Sequence, residues 1–455
     1  MEPRFSGVLQ LADLDDFITP SQECIKPVEI KKTSKGTGAK IKIEDDGTYV
    51  HVDSVGQKSK LTRVDISLTD CLACSGCITT AETVLINQQS HHEMLRIITN
   101  KKEEGYELVV MSLSLQALLS LSSHSNLKPD DCLRKFTGFI KRLGVDLVLD
   151  MGLAEDLALV EESKEFNDRY LRAKDGDKTA LPMLASTCPG WVCYAEKTKP
   201  QLLPHLSSCK SPQQIMGFLV KNILSAQRGL SGNQIYHICF MPCYDKKLEA
   251  SRPQFSENSI PDVNCVITPV EMEVALAELC PNGLVEELGA EVDWPWEGVP
   301  AYPPLAKALG SGSGGYAYQV IRTVQQPSEE NVPSFEPVKR SDIVVAQYDN
   351  EDGKQLKSAV VTGFKNIQNT VNKLKRGKCD YDYVEIMACP SGCLNGGGQV
   401  RGHLKSVQEF HSSMAARDPP ESVLQFYNKC FPATNDLHTT FQAVTYNPNP
   451  LTVKW

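Results

Sequence analysis

Three cysteine motifs in the larger part of this chain each begin where a predicted β-strand ends, and this placement constrains the fold more than any other feature. From Glu107 onward, apolar runs alternate with amphipathic helical patterns, which favours right-handed parallel β/α units. Ligands collect outside the carboxyl ends of the strands in open parallel sheets. We therefore expect cysteines that are distant in sequence to converge on one pocket. The motifs are STCPGW from Ser186, MPCYDKKLE from Met241 and EIMACPSGCLNGGG from Glu385.

The strands and helices predicted from apolar periodicity supply this alternating order. Predicted strands cover Leu108–Ser114, Val145–Met151, Leu181–Ser186, Ile238–Met241, Val263–Thr268, Ile343–Gln347, Ser358–Thr362 and Tyr383–Met387. Predicted helices between them include Pro129–Leu143, Gln213–Arg228 and Pro269–Leu279. Glycines 396 to 398, which end the third motif, would let the backbone approach a bulky cofactor closely.

A second cysteine pattern lies near the N-terminus, where Cys71-Leu-Ala-Cys74-Ser-Gly-Cys77 places three thiols at uniform intervals. A loop with this spacing can wrap one face of a cubane iron–sulfur cluster. Bacterial-type ferredoxins share the C-x2-C-x2-C core and add a fourth cysteine after three more residues. Ala81 occupies that position here, so the run needs a ligand from elsewhere. Cys24 is the nearest upstream thiol and the most economical choice.

Two alternatives to a cluster remain for this triplet. Zinc sites favour two separated C-x2-C pairs over one close triplet. Unligated thiols so close together in a short loop would be a redox liability. Both alternatives therefore fit the spacing less well than an iron–sulfur cluster does.

Composition excludes several other classes of protein. With 41% hydrophobic and 23% charged residues the chain has an ordinary soluble composition, and no window approaches the apolar length of a membrane-spanning helix. A net charge of −9 without a basic run disfavours direct nucleic-acid binding. The acidic N-terminus is unlike a secretory signal, so the cytosol is the default compartment, with the nucleus also open. In a reducing compartment, the sixteen cysteines are expected to be metal ligands, catalytic groups or core residues rather than disulfides.

Two weaker patterns predict no site of their own. The glycine-rich run at 310–315 follows no predicted strand, so a packing role is expected there rather than a dinucleotide site. None of the nine histidines has the paired spacing typical of a mononuclear metal site.

The strand-end motifs closely resemble the large subunit of iron-only hydrogenases. More specifically, the chain resembles their non-hydrogenase eukaryotic relatives among the cytosolic iron–sulfur assembly factors. The resemblance covers most of the chain and extends to LSSCKSPQQ from Leu206 and LHT from Leu437. The opening Ser6-Gly7 and the DLDDF run from Asp13 resemble the assembly factors rather than the hydrogenases.

This resemblance implies an α/β fold with two parts. A two-lobed, iron-only hydrogenase-like body with parallel sheets is expected over residues 104–455, with a C-terminal tail, and a small N-terminal iron–sulfur cluster module over residues 1–103. The family implies two 4Fe–4S clusters. The residues that match the family's ligands are Cys24, Cys71, Cys74 and Cys77 for the first cluster, and Cys188, Cys243, Cys389 and Cys393 for the second.

One departure from the hydrogenase pattern predicts that the chain is not an enzyme of that kind. In hydrogenases a proton-carrying cysteine directly precedes the first cluster ligand of the body, and Thr187 stands there here. An aliphatic hydroxyl is a far weaker acid than a thiol, so it is a much poorer proton relay. Lys246, Glu249 and the Glu161-Glu162 pair match the hydrogenases, and we expect them to form buried ion pairs or hydrogen bonds that support the fold.

The function that the resemblance implies is assembly or relay of iron–sulfur clusters in the cytosol. In the family picture, such a protein stands between a P-loop NTPase scaffold and a targeting complex built on a WD-repeat propeller, which serves apo iron–sulfur proteins. The terminal Trp455 beside a free carboxylate is suited to docking in a partner's groove, although an incidental tail residue fits as well. The alternatives are an iron–sulfur oxidoreductase and a purely structural adaptor.

Overall fold

The computed structural model describes residues 85–301, 303, 305–325, 334–338, 341–349, 355–431 and 435–444. It also gives the backbone of three short antiparallel strands in the N-terminal region: Lys40–Ile43, Tyr49–Val52 and Lys58–Lys60.

The body contains two main sheets and the helices around them. In chain order their strands are β1 Leu108–Leu113, β2 Leu147–Asp150, β3 Met183–Leu184, β4 Ile235–Phe240, β5 Cys265–Ile267, β6 Glu336–Pro337, β7 Ile343–Asp349, β8 Gln355–Thr362 and β9 Tyr383–Met387. The α-helices are α1 His91–Asn100, α2 Leu115–His124, α3 Pro129–Leu143, α4 Gly152–Lys174, α5 Pro189–Thr198, α6 Pro212–Phe218, α7 Ser225–Gln227, α8 Asp245–Ala250, α9 Pro269–Leu279, α10 Tyr316–Gln325, α11 Phe364–Lys375, α12 Leu404–Ser413 and α13 Glu421–Cys430.

Shorter elements complete the described part of the chain. A π-helix, Leu219–Leu224, continues α6 into α7. Two-residue strands pair at Ser256–Glu257 with Ile260–Pro261 and at Lys307–Ala308 with Ala416–Arg417. The 3-10 turns are Pro200–His205, Gly232–Gln234, Pro253–Phe255, Leu284–Glu286, Gly392–Asn395 and Asn435–Leu437.

Local sequence explains why the helices begin and end where they do. In α3, Pro129 takes the first helical position, where its missing N–H costs nothing, and Asp130 and Asp131 follow in the first turn. Lys141 lies in the last turn, and Gly144 closes the helix with a φ of 110°, a left-handed conformation that glycine adopts without strain.

The first sheet is entirely parallel, in the order β5–β4–β1–β2. Its central strand β4 is buried at all six positions, as expected for a strand covered by helices on both faces. The predicted parallel β/α units are confirmed for this sheet.

The second sheet is mixed, in the order β6–β7–β8–β9–β3. Strands β8, β9 and β3 run parallel, but β7 pairs antiparallel with β8 and with β6. This pair therefore departs from the parallel β/α pattern that the sequence indicates for the body as a whole. Only residues 350–354 separate these two strands, and a parallel crossover needs a dozen residues or more.

The hydrophobic core joins the two sheets through the long helix α4. One buried cluster combines residues of α4 with residues of both sheets, and the ring of Phe166 on α4 meets that of Tyr383 on β9 edge to face, with centroids 5.7 Å apart. A second cluster packs α1, α2, α3 and α9 on the first sheet, and a third packs α5 and α11 on the second. This is the two-lobed α/β architecture expected from the sequence. Within the described part of the chain, none of the helices combines the length and apolar character needed to cross a membrane.

Candidate metal centre

The three cysteine motifs follow strand ends in the structure as the sequence predicts. Cys188 follows β3 and lies at the N-cap of α5. Cys243 follows β4 and precedes α8, whereas Cys389 and Cys393 follow β9. Because β4 belongs to the first sheet and β3 and β9 to the second, the candidate site draws its residues from both lobes.

Hydrogen bonding and electrostatics show that these thiols lie close together. The backbone N–H of Ala388, which directly precedes Cys389, donates to the Sγ of Cys188 at 3.3 Å. Burial, followed by the charge of Cys393, raises the pKa of Cys188 to about 12. Burial also raises the pKa of Cys243 well above its ordinary value, with further contributions from Asp245 and from the other two cysteines.

A set of buried thiols such as this one can ionise only when a positively charged group, such as a metal centre, compensates the thiolates. Metal ligation requires thiolates, and the mutual repulsion and desolvation that raise these pKa values oppose thiolates unless positive charge compensates them. A group of four cysteines with this property is the donor set that iron–sulfur clusters use. The chemistry of the site therefore fits a 4Fe–4S cluster.

The glycines of the third motif allow a close approach of two protein loops. A Cβ on Gly396 would lie 2.2 Å from the carbonyl oxygen of Pro242, and one on Gly398 would lie 3.3 Å from the Cα of Cys243. The N–H of Gly398 also donates to the Pro242 carbonyl at 2.9 Å. The sequence predicted an approach to the cofactor itself. Among the described atoms, the nearest to a Cβ on Gly396 belong to the loop that carries Cys243, and the nearest to a Cβ on Gly398 is Cγ2 of Thr268 at 2.6 Å.

Lys246 and Glu249 form the buried ion pair that the sequence predicts, beside the cysteines. Lys246 Nζ lies 2.8 Å from Glu249 Oε2 and donates to the carbonyl oxygen of Thr187 at 3.2 Å. Burial alone would lower the pKa of Lys246, but the Glu249 carboxylate raises it. Ser211 and Gln213 also donate to Glu249, so the carboxylate is fully engaged. A buried cation is thereby held close to the cysteines.

Thr187 lies next to the first of these cysteines and is 7% exposed. Its hydroxyl Oγ1 is buried and has no hydrogen-bond partner among the residues that the structure describes. A hydroxyl in this position neither supplies an acidic proton nor joins a continuous hydrogen-bond chain within the described residues. The local geometry therefore offers no thiol-like proton carrier beside Cys188.

Comparison with known proteins agrees with this geometry. Residues 107–397 match the family described as the iron-only hydrogenase large subunit, C-terminal domain. The chain is 44% identical over 485 residues to a probable cytosolic Fe-S cluster assembly factor of Anopheles gambiae, covering 99% of this chain and 100% of the relative. It is 43% identical over 479 residues to cytosolic iron-sulfur assembly component 3 of Mus musculus, covering 100% of both chains. The chain belongs to the iron-only hydrogenase-like family of cytosolic iron–sulfur assembly factors.

Solved structures of hydrogenases share the body of this family member. The FeFe-hydrogenase HydA(deltaEFG) superposes with a TM-score of 0.67 at 26% identity, covering 78% of this chain and 99% of that chain. A variant of the FeFe-hydrogenase HydA1 from Chlamydomonas reinhardtii gives a TM-score of 0.64 at 26% identity, covering 74% and 94%. The family and the fold class indicated by the cysteine motifs are both confirmed.

The acidic pair of this hydrogenase-like body makes hydrogen bonds inside the core, as the sequence predicts. Tyr383 donates to Glu162 at 2.8 Å, and Ser207 lies within hydrogen-bonding distance of the same carboxyl at 2.6 Å. Burial, and then the nearby Glu165, raise the pKa of Glu162 to about 8. Glu162 is therefore mostly protonated at neutral pH.

The neighbouring Glu161 binds the C-terminal segment of the body. Its carboxyl lies 2.8 Å from Nε2 of His438 and accepts a hydrogen bond from Tyr427. Burial would raise the pKa of Glu161, but the bonds from His438 and Tyr427 lower it overall. Glu161 thus tethers residues 435–444 to α4.

Sequence reasoning missed one residue that supports the candidate site. The hydroxyl of Ser313, in the glycine-rich run at 310–315, accepts the N–H of Cys393 at 2.9 Å. Ser311 in the same run donates to Glu385 on β9. The predicted packing role is confirmed, but only the fold shows that the packing reaches a cysteine of the site. Two serines interleaved with glycines were the only signal in the sequence.

Five residues singled out by the sequence lie outside the described residues: Cys24, Cys71, Cys74, Cys77 and Trp455. The structure therefore brings together the cysteines of the second expected set and leaves the first set as a prediction.

Proposed function

We propose that this chain is a component of the cytosolic iron–sulfur protein assembly machinery that binds two 4Fe–4S clusters and mediates cluster delivery. One cluster would be held by Cys24, Cys71, Cys74 and Cys77, and the other by Cys188, Cys243, Cys389 and Cys393. The donor would be a P-loop NTPase scaffold, and the receiver a WD-repeat targeting complex that serves cytosolic and nuclear apo-proteins. The names of relatives at 42–44% identity over their full length support this role.

The observation that carries the proposal is the pairing of a four-cysteine site with Thr187. The hydrogenase-like body keeps the cysteines, the Lys246–Glu249 pair and the buried carboxyls, but Thr187 replaces the thiol that would carry protons. When bound, a 4Fe–4S cluster supplies one-electron chemistry or serves as cargo. The protein's own residues would bind and bury the cluster, and Thr187 would stand where hydrogenases have a thiol proton carrier.

The first experiment is anaerobic purification with Mössbauer spectroscopy on matched cysteine variants. We expect two clusters in the wild type, and loss of one cluster in each of Cys74→Ser and Cys243→Ser. Cys430→Ser is the matched control, because this half-buried cysteine lies outside both sets. Unchanged cluster content in Cys243→Ser would refute the assignment of the second site.

The second experiment separates cluster delivery from electron transfer. Iron-labelled protein is incubated with an apo-protein acceptor, and label is followed in both partners. Transfer of labelled iron with its sulfide supports delivery. A reversible redox couple without any transfer would instead support the iron–sulfur oxidoreductase, which the hydrogenase fold and the buried carboxyls favour as the second candidate. Inert clusters in both assays would point to a structural adaptor.

The C-terminal residue is the proposed contact for the targeting complex. An indole beside a terminal carboxylate offers an apolar anchor and a charge to a partner's groove. Deletion of Trp455 should abolish pull-down of the targeting complex and leave cluster content unchanged. Unchanged pull-down would dismiss the docking role.

A further inference from the structure

A pair of adjacent imidazoles opens α1, outside the set of cysteines that forms the candidate centre. His91 and His92 are the first two residues of the helix, which Ser90 caps by accepting the N–H of Glu93 at 3.3 Å. The two rings lie 4.0 Å apart between centroids and are tilted by 41°. Neutral imidazole nitrogen is a common metal ligand in proteins.

A carboxylate from a different helix completes the group. Glu278 lies near the end of α9, and one ligand atom from each of His91, His92 and Glu278 lies within 4.8 Å of the other two. No other set of three histidine, cysteine or acidic side chains within the described residues is so compact. His92 and Glu278 are 186 positions apart in sequence, and the packing of α1 against α9 brings them together.

The other charged groups around the rings already have partners. Glu271, two turns before Glu278 on α9, forms an ion pair with Lys247 at 2.6 Å. Glu93 pairs with Arg96 at 2.8 Å. By contrast, no ion pair within 4.0 Å joins Glu278 to a cation in the described part of the chain. Glu278 therefore remains available as a ligand.

The ring of His91 has a further unmet requirement. Its Nε2 is buried and makes no hydrogen bond to any described residue. Buried polar atoms in native proteins nearly always have a partner, so this nitrogen is a vacant donor or acceptor position. A cavity of about 160 Å³ borders His91; residues within 86–91 and in the first half of α9 line it, whereas His92 and Glu278 do not.

We propose that His91, His92 and Glu278 bind one divalent late first-row transition-metal ion, with Zn²⁺ the best fit. Imidazole nitrogen and carboxylate oxygen bind zinc at about 2.0–2.2 Å, which places the ligand atoms about 3.3 Å apart. The three ligand atoms lie within 4.8 Å of one another, so a bound ion requires them to move closer together. Calcium and magnesium are disfavoured, because they prefer oxygen ligands alone. The site goes beyond the proposed function, and it would join α1 to the body by a metal bridge.

One effect opposes a cation at this place. The N-terminus of α1 carries a partial positive charge of roughly half an elementary charge. The full negative charge of Glu278 outweighs it. The balance between the helix end and the carboxylate therefore favours binding.

The test uses the full chain with its cluster content fixed under anaerobic conditions. Zn²⁺ is titrated in competition with a chromophoric chelator into the wild type, His92→Ala and Glu278→Gln. Both variant positions are exposed, so the fold should be retained. We expect one zinc ion beyond the clusters and at least a tenfold weaker affinity in each variant. His124→Ala is the matched control: His124 lies 3.4 Å from Glu273 on the same helix α9 but belongs to no compact group of three among the described residues.

Zinc-edge X-ray absorption then reports the ligands. Nitrogen and oxygen neighbours without sulfur support the site, together with slower amide exchange across α1 on zinc addition to the wild type alone. Three results overturn the proposal: no saturable binding in the wild type, equal affinity in the wild type and both variants, or sulfur neighbours that show the ion on cluster cysteines.

Discussion

Replacement of Lys247 by methionine should detach the start of the described body from the loop that carries Cys243. Lys247 is fully buried, and its Nζ binds Glu271 Oε1 at 2.6 Å and the carbonyl oxygen of Gln89. The Gln89 side chain returns the contact by donating to the Lys247 carbonyl at 2.9 Å. The contacts of Lys247 with Gln89 and Glu271 connect the segment before α1 to α8, which begins two residues after Cys243.

The expected loss of stability in Lys247→Met follows from the burial of its partner, Glu271. Glu271 is 7% exposed, and without Lys247 its Oε1 would be a buried carboxylate oxygen with no cation. Removing one partner of a buried ion pair costs about 3–5 kcal/mol. Since about 1.4 kcal/mol is a factor of ten, opening of the region should become at least about 100-fold more frequent. Glu271→Gln in the Lys247→Met background should recover part of this loss, because the uncompensated charge is then gone.

The assay is native-state amide exchange of α1 in anaerobic protein, with Lys357→Met as the matched control. Lys357 also pairs with a carboxylate at 2.8 Å, but its partner Asp380 is 60% exposed. Removal of such a pair costs about 0–1 kcal/mol. Equal exchange of α1 in the Lys247→Met and Lys357→Met proteins would refute the reasoning, as would a double variant no more stable than Lys247→Met alone.

Three further predictions address the cluster sites and the acidic core. Cys389→Ala and Cys393→Ala should lose soluble protein, because loss of the second cluster would release the two lobes from each other, whereas Cys24→Ala should mainly impair function. Equal soluble yields in the three variants would contradict this. Thr187→Cys should evolve no hydrogen in a gas-chromatographic assay if the chain lacks the catalytic di-iron unit that hydrogenases carry. Hydrogen evolution by the wild type would overturn the interpretation of Thr187. Burial raises the pKa of Glu162 from 4.5 to about 8, so the folded chain keeps a proton that the unfolded chain loses. The stability that this carboxyl contributes is complete below about pH 4.5 and is lost as pH rises toward about 8. Glu162→Gln should reduce this dependence of stability on pH, measured as the difference between the urea midpoints of unfolding at about pH 4.5 and about pH 8. An unchanged difference would show that another group causes the dependence.

Much of the fold was accessible from local sequence. The predicted strands at β1 and β9 and the helices α3 and α9 are confirmed to within a residue, because apolar periodicity and capping residues act over a few positions. The helix predicted at Gln213–Arg228 is instead α6, a π-helical stretch and α7 in succession. Periodicity of apolar residues does not distinguish these two helical windings over six residues.

Contacts between distant segments were not accessible in the same way. Gln89 and Lys247 are 158 positions apart, and Ser313 and Cys393 are 80 apart, so no local pattern marks either contact. The sequence did not predict the antiparallel pairing of β7 with β8. Only five residues separate the two strands in the structure, but the predicted strands were shorter and lay too far apart to suggest a hairpin.

The sequence by itself determined the family, the alternating elements and the four cysteines at strand ends, because motif spacing and apolar periodicity are written along the chain. It also determined the replacement of an acidic thiol by Thr187. Only the tertiary structure decided that these cysteines follow strands of two different sheets, that Lys246 is held by Glu249 beside them, and that His91, His92 and Glu278 meet. Those facts depend on how two sheets and their helices pack, and packing is set by the shapes of surfaces that residues far apart in the chain build together.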